Sequence, residues 1–125
     1  MQVNDPGVLA QVDAVFDAYE SALVGNDVEA LDALFWDSPL TLRYGATENL
    51  VGIEAIRDFR KARPAAGLAR EIVERHVTAF GADFAVANIV FRRAGQARLG
   101  RQTQTRVRMP DGWKVVAAHV SWMGT

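Results

Sequence analysis

Tyr19 and Arg43 are the residues of this chain best suited by type and place to do chemistry. Tyr19 is the one polar-tipped member of an otherwise apolar series, Val8, Val12, Val15, Phe16, Ala22 and Leu23, spaced as one face of a helix. Arg43 falls in a short alternating stretch from Leu40 to Tyr44. A phenol can donate a proton at neutral pH, and a guanidinium can grip a carboxylate through paired N–H groups. Aimed inward together in a small cupped domain, the two would make a pocket for a small anion.

The elements that must position them are readable from period and punctuation. Asp5-Pro6 predicts an N-cap and a first-turn proline, and the apolar spacing from Val8 to Leu23 predicts one long amphipathic helix that stops at Gly25-Asn26. Asp27 predicts the cap of a second, shorter helix through Leu34, with Val28, Leu31, Leu34 and Phe35 apolar, ended by Trp36 and the Asp37-Ser38-Pro39 turn. Leu40 to Tyr44 reads as a strand with Leu40, Leu42 and Tyr44 on one face and Thr41 and Arg43 on the other; alternation does not say which face is concave. Gly52 to Arg63 reads as a third helix on the stripe Ile53, Ile56, Phe59, stopped by Pro64.

From Leu68 the period becomes two. Segments Ala69–Phe80, Phe84–Arg93, Arg98–Met109 and Trp113–Trp122, separated by Gly81-Ala82-Asp83, Ala94-Gly95-Gln96 and Pro110-Asp111-Gly112, predict an antiparallel meander. Helices first and hairpin-linked strands afterwards predict an α+β fold, with N-terminal helices packed on a curved antiparallel sheet in a single domain over residues 1–125.

Composition narrows the function classes. The 125 residues, half of them hydrophobic, suffice for a core of their own. No cysteine is present, which removes disulfides, thiolate metal sites and thiol nucleophiles. A net charge of -1 does not provide the field that nucleic-acid binding needs. Residues 1–6 do not read as a secretory leader, and no apolar run approaches the roughly 20 residues of a membrane span, so a cytoplasmic protein without a membrane partner is expected. Lysine occurs only at positions 61 and 114, and the other basic residues are arginine. That is either a preference for carboxylate-binding forks or the codon usage of a GC-rich genome.

Three separated motifs carry a resemblance. They are Leu42-Arg43-Tyr44-Gly45-Ala46-Thr47-Glu48-Asn49-Leu50-Val51-Gly52-Ile53, Phe59-Arg60-Lys61-Ala62-Arg63-Pro64 and Gly100-Arg101-Gln102-Thr103-Gln104-Thr105, followed by the closing strand Asp111 to Ser121. Together they resemble the AtzH-like family, which includes the oxalurate-catabolism protein HpxZ, within the SnoaL-like, nuclear-transport-factor-type superfamily. The resemblance implies a cone-shaped, cystatin-like fold. It also implies work on ureido compounds in cyanuric acid or oxalurate breakdown, beside amidases. The activity it implies is decarboxylation of 1,3-dicarboxyurea to allophanate, with no cofactor or metal, and it places the family's tyrosine and arginine at Tyr19 and Arg43. A non-catalytic protein that binds a ureido acid or accompanies an amidase is the alternative. Because sheets of this superfamily pack in pairs, a homodimer through the outer face of the meander is expected, its closing strand read with Val116, Ala118, Val120 and Trp122 on one apolar face.

Further binding candidates each have a bland competitor. Arg60 and Arg63, three apart on the third helix, could form a basic rim or a solvated, salt-bridged surface. Gln102 and Gln104 share a strand face opposite Arg101 and Thr103, so one of these sets at most can line a pocket. Glu48 and Asn49 follow Arg43 closely enough to orient it, although Asn49 also suits a turn. His119 titrates near neutral pH but also fits a satisfied sheet or dimer surface. No acid is placed to act as an internal base, since Asp13, Asp17 and Glu20 fall on the polar side of the first helix.

Overall fold

The computed structural model describes residues 1–124. Helix α1 (Pro6–Val24) begins at the expected cap, where the Asp5 carboxylate accepts from the Val8 N–H at 3.1 Å. Its buried stripe is Val12, Phe16, Tyr19, Ala22 and Leu23. Helix α2 (Val28–Ala33) is capped by Asp27, which accepts from Ala30, and buries Leu31. Helix α3 (Ile53–Ala62) buries Ile53 and Ile56 and, beside them, Arg60.

Strands β1 (Leu42–Tyr44), β2 (Asn49–Val51), β3 (Arg70–Phe80), β4 (Phe84–Arg93), β5 (Gly100–Met109) and β6 (Gly112–Trp122) form one sheet in the order β2-β1-β6-β5-β4-β3. The meander runs antiparallel from β3 to β6, and β1 joins β6 in parallel. The sheet curves, without closing, around the buried face of α1. The result is the α+β arrangement expected from element order, with the cone that the resemblance implies. β2, three residues long, is the one strand the alternation did not announce; it pairs with β1 in a small hairpin.

Registers decide which residues enter the cone. Arg43 stands opposite Ala118, Gln104 pairs with the same residue, and Gln102 pairs with Val120. Between Thr105 and Arg106 the β5–β6 ladder shifts: Thr105 pairs with Ala117 and Arg106 with Val115, leaving Val116 as an extra residue. The bulge puts Val115 inside opposite Arg106, which keeps the inward phase of Gln102 and Gln104, and both are fully buried. It overturns the expected apolar face of Val116, Ala118, Val120 and Trp122, because Val116 no longer keeps step with Ala118 and the last three line the concave side.

Three hydrophobic clusters fill the interior along α1. Val12 packs with Ala79, Ala85 and Trp113 near the helix start. Phe16 packs with Ala87, Ile89, Phe91 and Val120 in the middle. Tyr19 joins Leu31, Phe35, Ile56 and Val115 at the end where α2 and α3 arrive. The acidic side of α1 is less solvated than its spacing implied. Asp13 and Asp17 each pair with Arg75 of β3 at 2.9 Å, and Glu20 is ion-paired with Arg70, holding the helix across the sheet's far edge.

Phe91 meets Gly100 across the β4–β5 ladder, and its ring lies where a side chain on Gly100 would stand. Gly100→Ala should therefore destabilise the fold by about 1–3 kcal/mol through overpacking. The check is a lower denaturant midpoint with an unchanged slope in chemical unfolding.

Candidate functional site

The cone opens beside the C-terminal ends of α3 and β6, where a cavity of about 350 Å³ is lined by Arg43, Glu48, Phe59, Arg63, Arg93 and Trp122 among others. Each wall follows from local structure. β1 delivers Arg43 because the Arg43–Ala118 register turns odd positions of this short strand inward. Arg63 caps α3, whose turn places it beside Arg60, and Arg93 ends β4 with its guanidinium 5.3 Å from the Trp122 ring.

Arg43, 11% exposed, donates to Glu48 at 3.1 Å and lies 5.2 Å from the Phe59 ring, so one carboxylate and one aromatic face hold its fork. Burial would raise the Glu48 carboxyl, but hydrogen bonds from Thr47 and Arg43 outweigh it and keep the group below its ordinary value. Arg60 lies deeper, 2% exposed, with Nη1 donating to Asp32 at 2.7 Å and the guanidinium 4.1 Å above the Phe35 ring. It is not a rim residue. Among the described residues Arg63 has no carboxylate partner, and its Nε and Nη2, the pair forming one edge of the fork, are buried without a hydrogen-bond partner.

Tyr19 is 5% exposed and sits behind this layer, its ring 6.3 Å from that of Phe35 and 5.7 Å from the Arg106 guanidinium. It is not part of the open cavity's wall. Arg60 and Arg63 feel the electrostatic influence of both Tyr19 and Arg43.

Behind the cavity, outside its lining, β5 carries an inward polar row. Gln102 and Gln104, 3% and 1% exposed, face inward, and Arg101 and Thr103 face out, which settles the choice that alternation left open. Gln102 accepts from Arg70 at 3.3 Å, and Gln104 accepts from Arg106 Nη2 at 2.5 Å. Arg106 is fully buried and, among the described residues, has no hydrogen-bonded carboxylate and retains Nε and Nη1 unpartnered. Taking such an ion out of water costs on the order of several kcal/mol. Burial pushes the Arg106 guanidinium down to about 10 and lowers those of Arg60, Arg63 and Arg93, the last three also under repulsion from Arg43. All remain cationic near neutral pH. Carboxylates answer Arg43, Arg60 and Arg70 directly, whereas Arg63, Arg93 and Arg106 form no salt bridge among the described residues, and Glu48 and Glu20 act on Arg93 and Arg106 only from a distance.

Two candidates fall outside. Asn49 pairs with Tyr44 and His119 with Tyr44 and Thr103, all exposed positions on the convex face, so neither lines the cavity. The cause is the two-residue period: an inward Arg43 forces its strand neighbour Tyr44, and whatever Tyr44 pairs with, to the other side. His119 instead makes an edge contact with the Tyr44 ring at 6.0 Å. Sequence reasoning missed Arg70, Arg93 and Arg106. Arg106 lies on the same alternating face of β5 as Gln102 and Gln104, a signal the sequence carried, and Glu20, read as lying on the polar side of α1, is the partner of Arg70. Among the described residues no group of His, Cys, Asp and Glu is arranged to hold a metal ion.

The arrangement concentrates hydrogen-bond donors and positive charge in a small apolar-walled hollow, which suits a small carboxylate-bearing molecule. The AtzH-like family model matches residues 1–125. Among solved structures, a protein of unknown function from Pectobacterium atrosepticum is 56% identical with a TM-score of 0.96, covering 98% of this chain and 95% of its own. A cystatin-like fold protein from Burkholderia xenovorans is 48% identical with a TM-score of 0.95, covering 100% and 98%. An NTF2-like protein of unknown function from Pseudomonas putida shares the fold at 19% identity and a TM-score of 0.80, over 94% of this chain and 87% of its own. No functionally curated protein matches.

Glu48 supplies a pH test. Its carboxyl is lowered in the folded state, so its contribution to stability is complete above the unfolded carboxyl value of about 4.3 and is lost as pH falls through the lower folded value. Glu48→Gln should melt below the native chain above about pH 5, and the gap should close as the pH is lowered. Thermal melts across that range provide the check.

Proposed function

The chain belongs to the AtzH-like family, and from that premise we propose a cofactor-free cytoplasmic enzyme that removes carbon dioxide from an N-carboxylated urea of the 1,3-dicarboxyurea type. The observation that carries this reading is the group of guanidiniums with no balancing carboxylate around a buried phenol. It supports recognition of an anion bearing more than one carboxylate. The cystatin-like, NTF2-like fold by itself is used for many unrelated functions, so the reading rests on the site.

In the proposed reaction Arg43, held by Glu48, and the free edge of Arg63 receive the substrate at the mouth. The carbon–nitrogen bond to the reacting carboxylate breaks, its carbon leaves as carbon dioxide, and the bonding pair stays on nitrogen. Tyr19 delivers a proton to that nitrogen, giving the shortened urea, and water restores the proton to the phenol. Negative charge left briefly on Tyr19 is countered by Arg60 and Arg63, which both lie within its electrostatic reach. The low-dielectric walls of Phe35, Phe59 and Trp122 strengthen those interactions and limit access of water.

The same proposal includes a homodimer built on the convex face, where Leu42, Val86, Val90 and Ala117 lie outward on neighbouring strands. Sedimentation should then give twice the 13.7 kDa chain mass, and a monomer at tens of micromolar would remove that element.

Turnover is tested by following 1,3-dicarboxyurea decay. Tyr19→Phe and Arg43→Ala should keep the native circular dichroism spectrum and lose about 10² to 10⁴ of the rate, the range typical of general acid assistance. Decay unchanged by the native protein would favour the amidase-accompanying role.

A further inference from the structure

Arg106 and Gln104 are sealed inside the cone, and the proposed proton transfer does not use their free donors. Arg106 is wholly buried between Phe16 and Tyr19, 5.7 Å from each ring. Its Nη2 donates to Gln104 Oε1, while its Nε and Nη1 and the Gln104 Nε2 have no partner among the described residues. No salt bridge of the described residues includes it, unlike Arg43, Arg60 and Arg70. Folded chains seldom leave such groups unanswered, because a buried ion or amide without partners is costly and an apolar side chain of the same size would be cheaper.

The place of this pair is as telling as its chemistry. Inward positions on β5 run from Gly100 at the open end through Gln102 and Gln104 to Arg106, about 3.4 Å per residue. Arg63 and Arg106 thus stand toward opposite ends of the interior, and Tyr19 is the electrostatic neighbour of both. The Tyr19 ring lies 5.7 Å from the Arg106 guanidinium, at the inner end of this row. We propose that Arg106 and Gln104 form a second carboxylate subsite at the closed end, so that the chain selects small dianions with a carboxylate at each end over monoanions. This inference rests on the reading of the interior as a carboxylate site. It adds that one carboxylate is an inert handle held at depth while the other, at the Arg63 and Arg43 end, is presented for chemistry.

The test uses glutarate, a five-carbon dicarboxylate unable to lose carbon dioxide under these conditions, and its monoanionic counterpart butyrate. By calorimetry the native protein should bind glutarate at least about tenfold more tightly, since a buried charge pair with one partner missing is heavily penalised. Arg106→Met should bring the two affinities within about twofold while leaving butyrate binding in place, and Arg63→Met should weaken both. Gln104→Leu, which keeps the guanidinium, should reduce the preference in part. With no ligand, Arg106→Met should melt at the same temperature as the native protein or higher, because an unbalanced ion has been replaced by an apolar side chain.

Equal binding of glutarate and butyrate by the native protein would mean that water alone answers these donors, and would overturn the subsite. A preference that survives Arg106→Met, or a large fall in that variant's melting temperature, would overturn it too. Glutarate does not react, so these measurements separate the subsite from turnover. Preference for glutarate without decay of 1,3-dicarboxyurea removes the decarboxylase reading and keeps the subsite, whereas turnover with an unchanged KM in Arg106→Met does the opposite.

Discussion

Mutual repulsion among buried guanidiniums is the constraint around which this small cone is arranged. Arg43, Arg60, Arg63, Arg70, Arg93 and Arg106 all turn toward one interior, and each would be safer in water. Arg43 is held by Glu48, Arg60 by Asp32 and Arg70 by Glu20, every carboxylate coming from a different element. Aromatic faces do part of the same work: Phe59, Phe35, Phe91 and Trp122 lie within 5.3 Å of the guanidiniums of Arg43, Arg60, Arg70 and Arg93. Cation–π contact steadies a cation without neutralising it, so the hollow stays positive. A core designed for stability alone would replace these groups by hydrocarbon. Their retention points to a ligand that completes the charge balance.

Architecture and site depend on each other through the sheet. The meander places long antiparallel strands side by side, and one bulge, with Val116 as the extra residue, switches which residues of β6 look inward while β5 keeps its phase. Without it, Arg106 would keep step only if Val116 took the place of Val115, and the cluster around Tyr19 and Phe35 would lose a fully buried neighbour. Helix α1 closes the hollow by pairing its acids with Arg70 and Arg75 on the outer strand, a use of the polar face that a lone amphipathic helix does not disclose. The exposed pairs contribute little each, typically about 0–1 kcal/mol, and act mainly to set the angle of the helix.

Much of the architecture was legible because the signals are local. Asp5 and Asp27 cap their helices, Pro64 and Gly25 mark stops, and three Gly-containing turns delimit the four long strands. β2 escaped notice because three residues are too few to display a period. Within the site, inward Gln102 and Gln104 were visible as one of two alternatives, and Glu48 as a neighbour of Arg43. Asn49 and His119 were misplaced, since residue type suggested chemistry while strand phase, unknown without the register, sent both to the convex surface.

By themselves the residues determined the order of helices and strands, the absence of thiol chemistry, and a pool of arginines large enough to matter. Capping, period and composition act over a few positions or over the whole count, so no distant partner is needed to read them. Which arginines would be buried together, which acids would answer them, and that Arg63, Arg93 and Arg106 would be left unbalanced was decided only by the tertiary structure. Strand registers, a one-residue bulge and helix packing bring together side chains as far apart as Asp32 and Arg60 or Glu20 and Arg70, and electrostatic balance is a property of those meetings rather than of any segment.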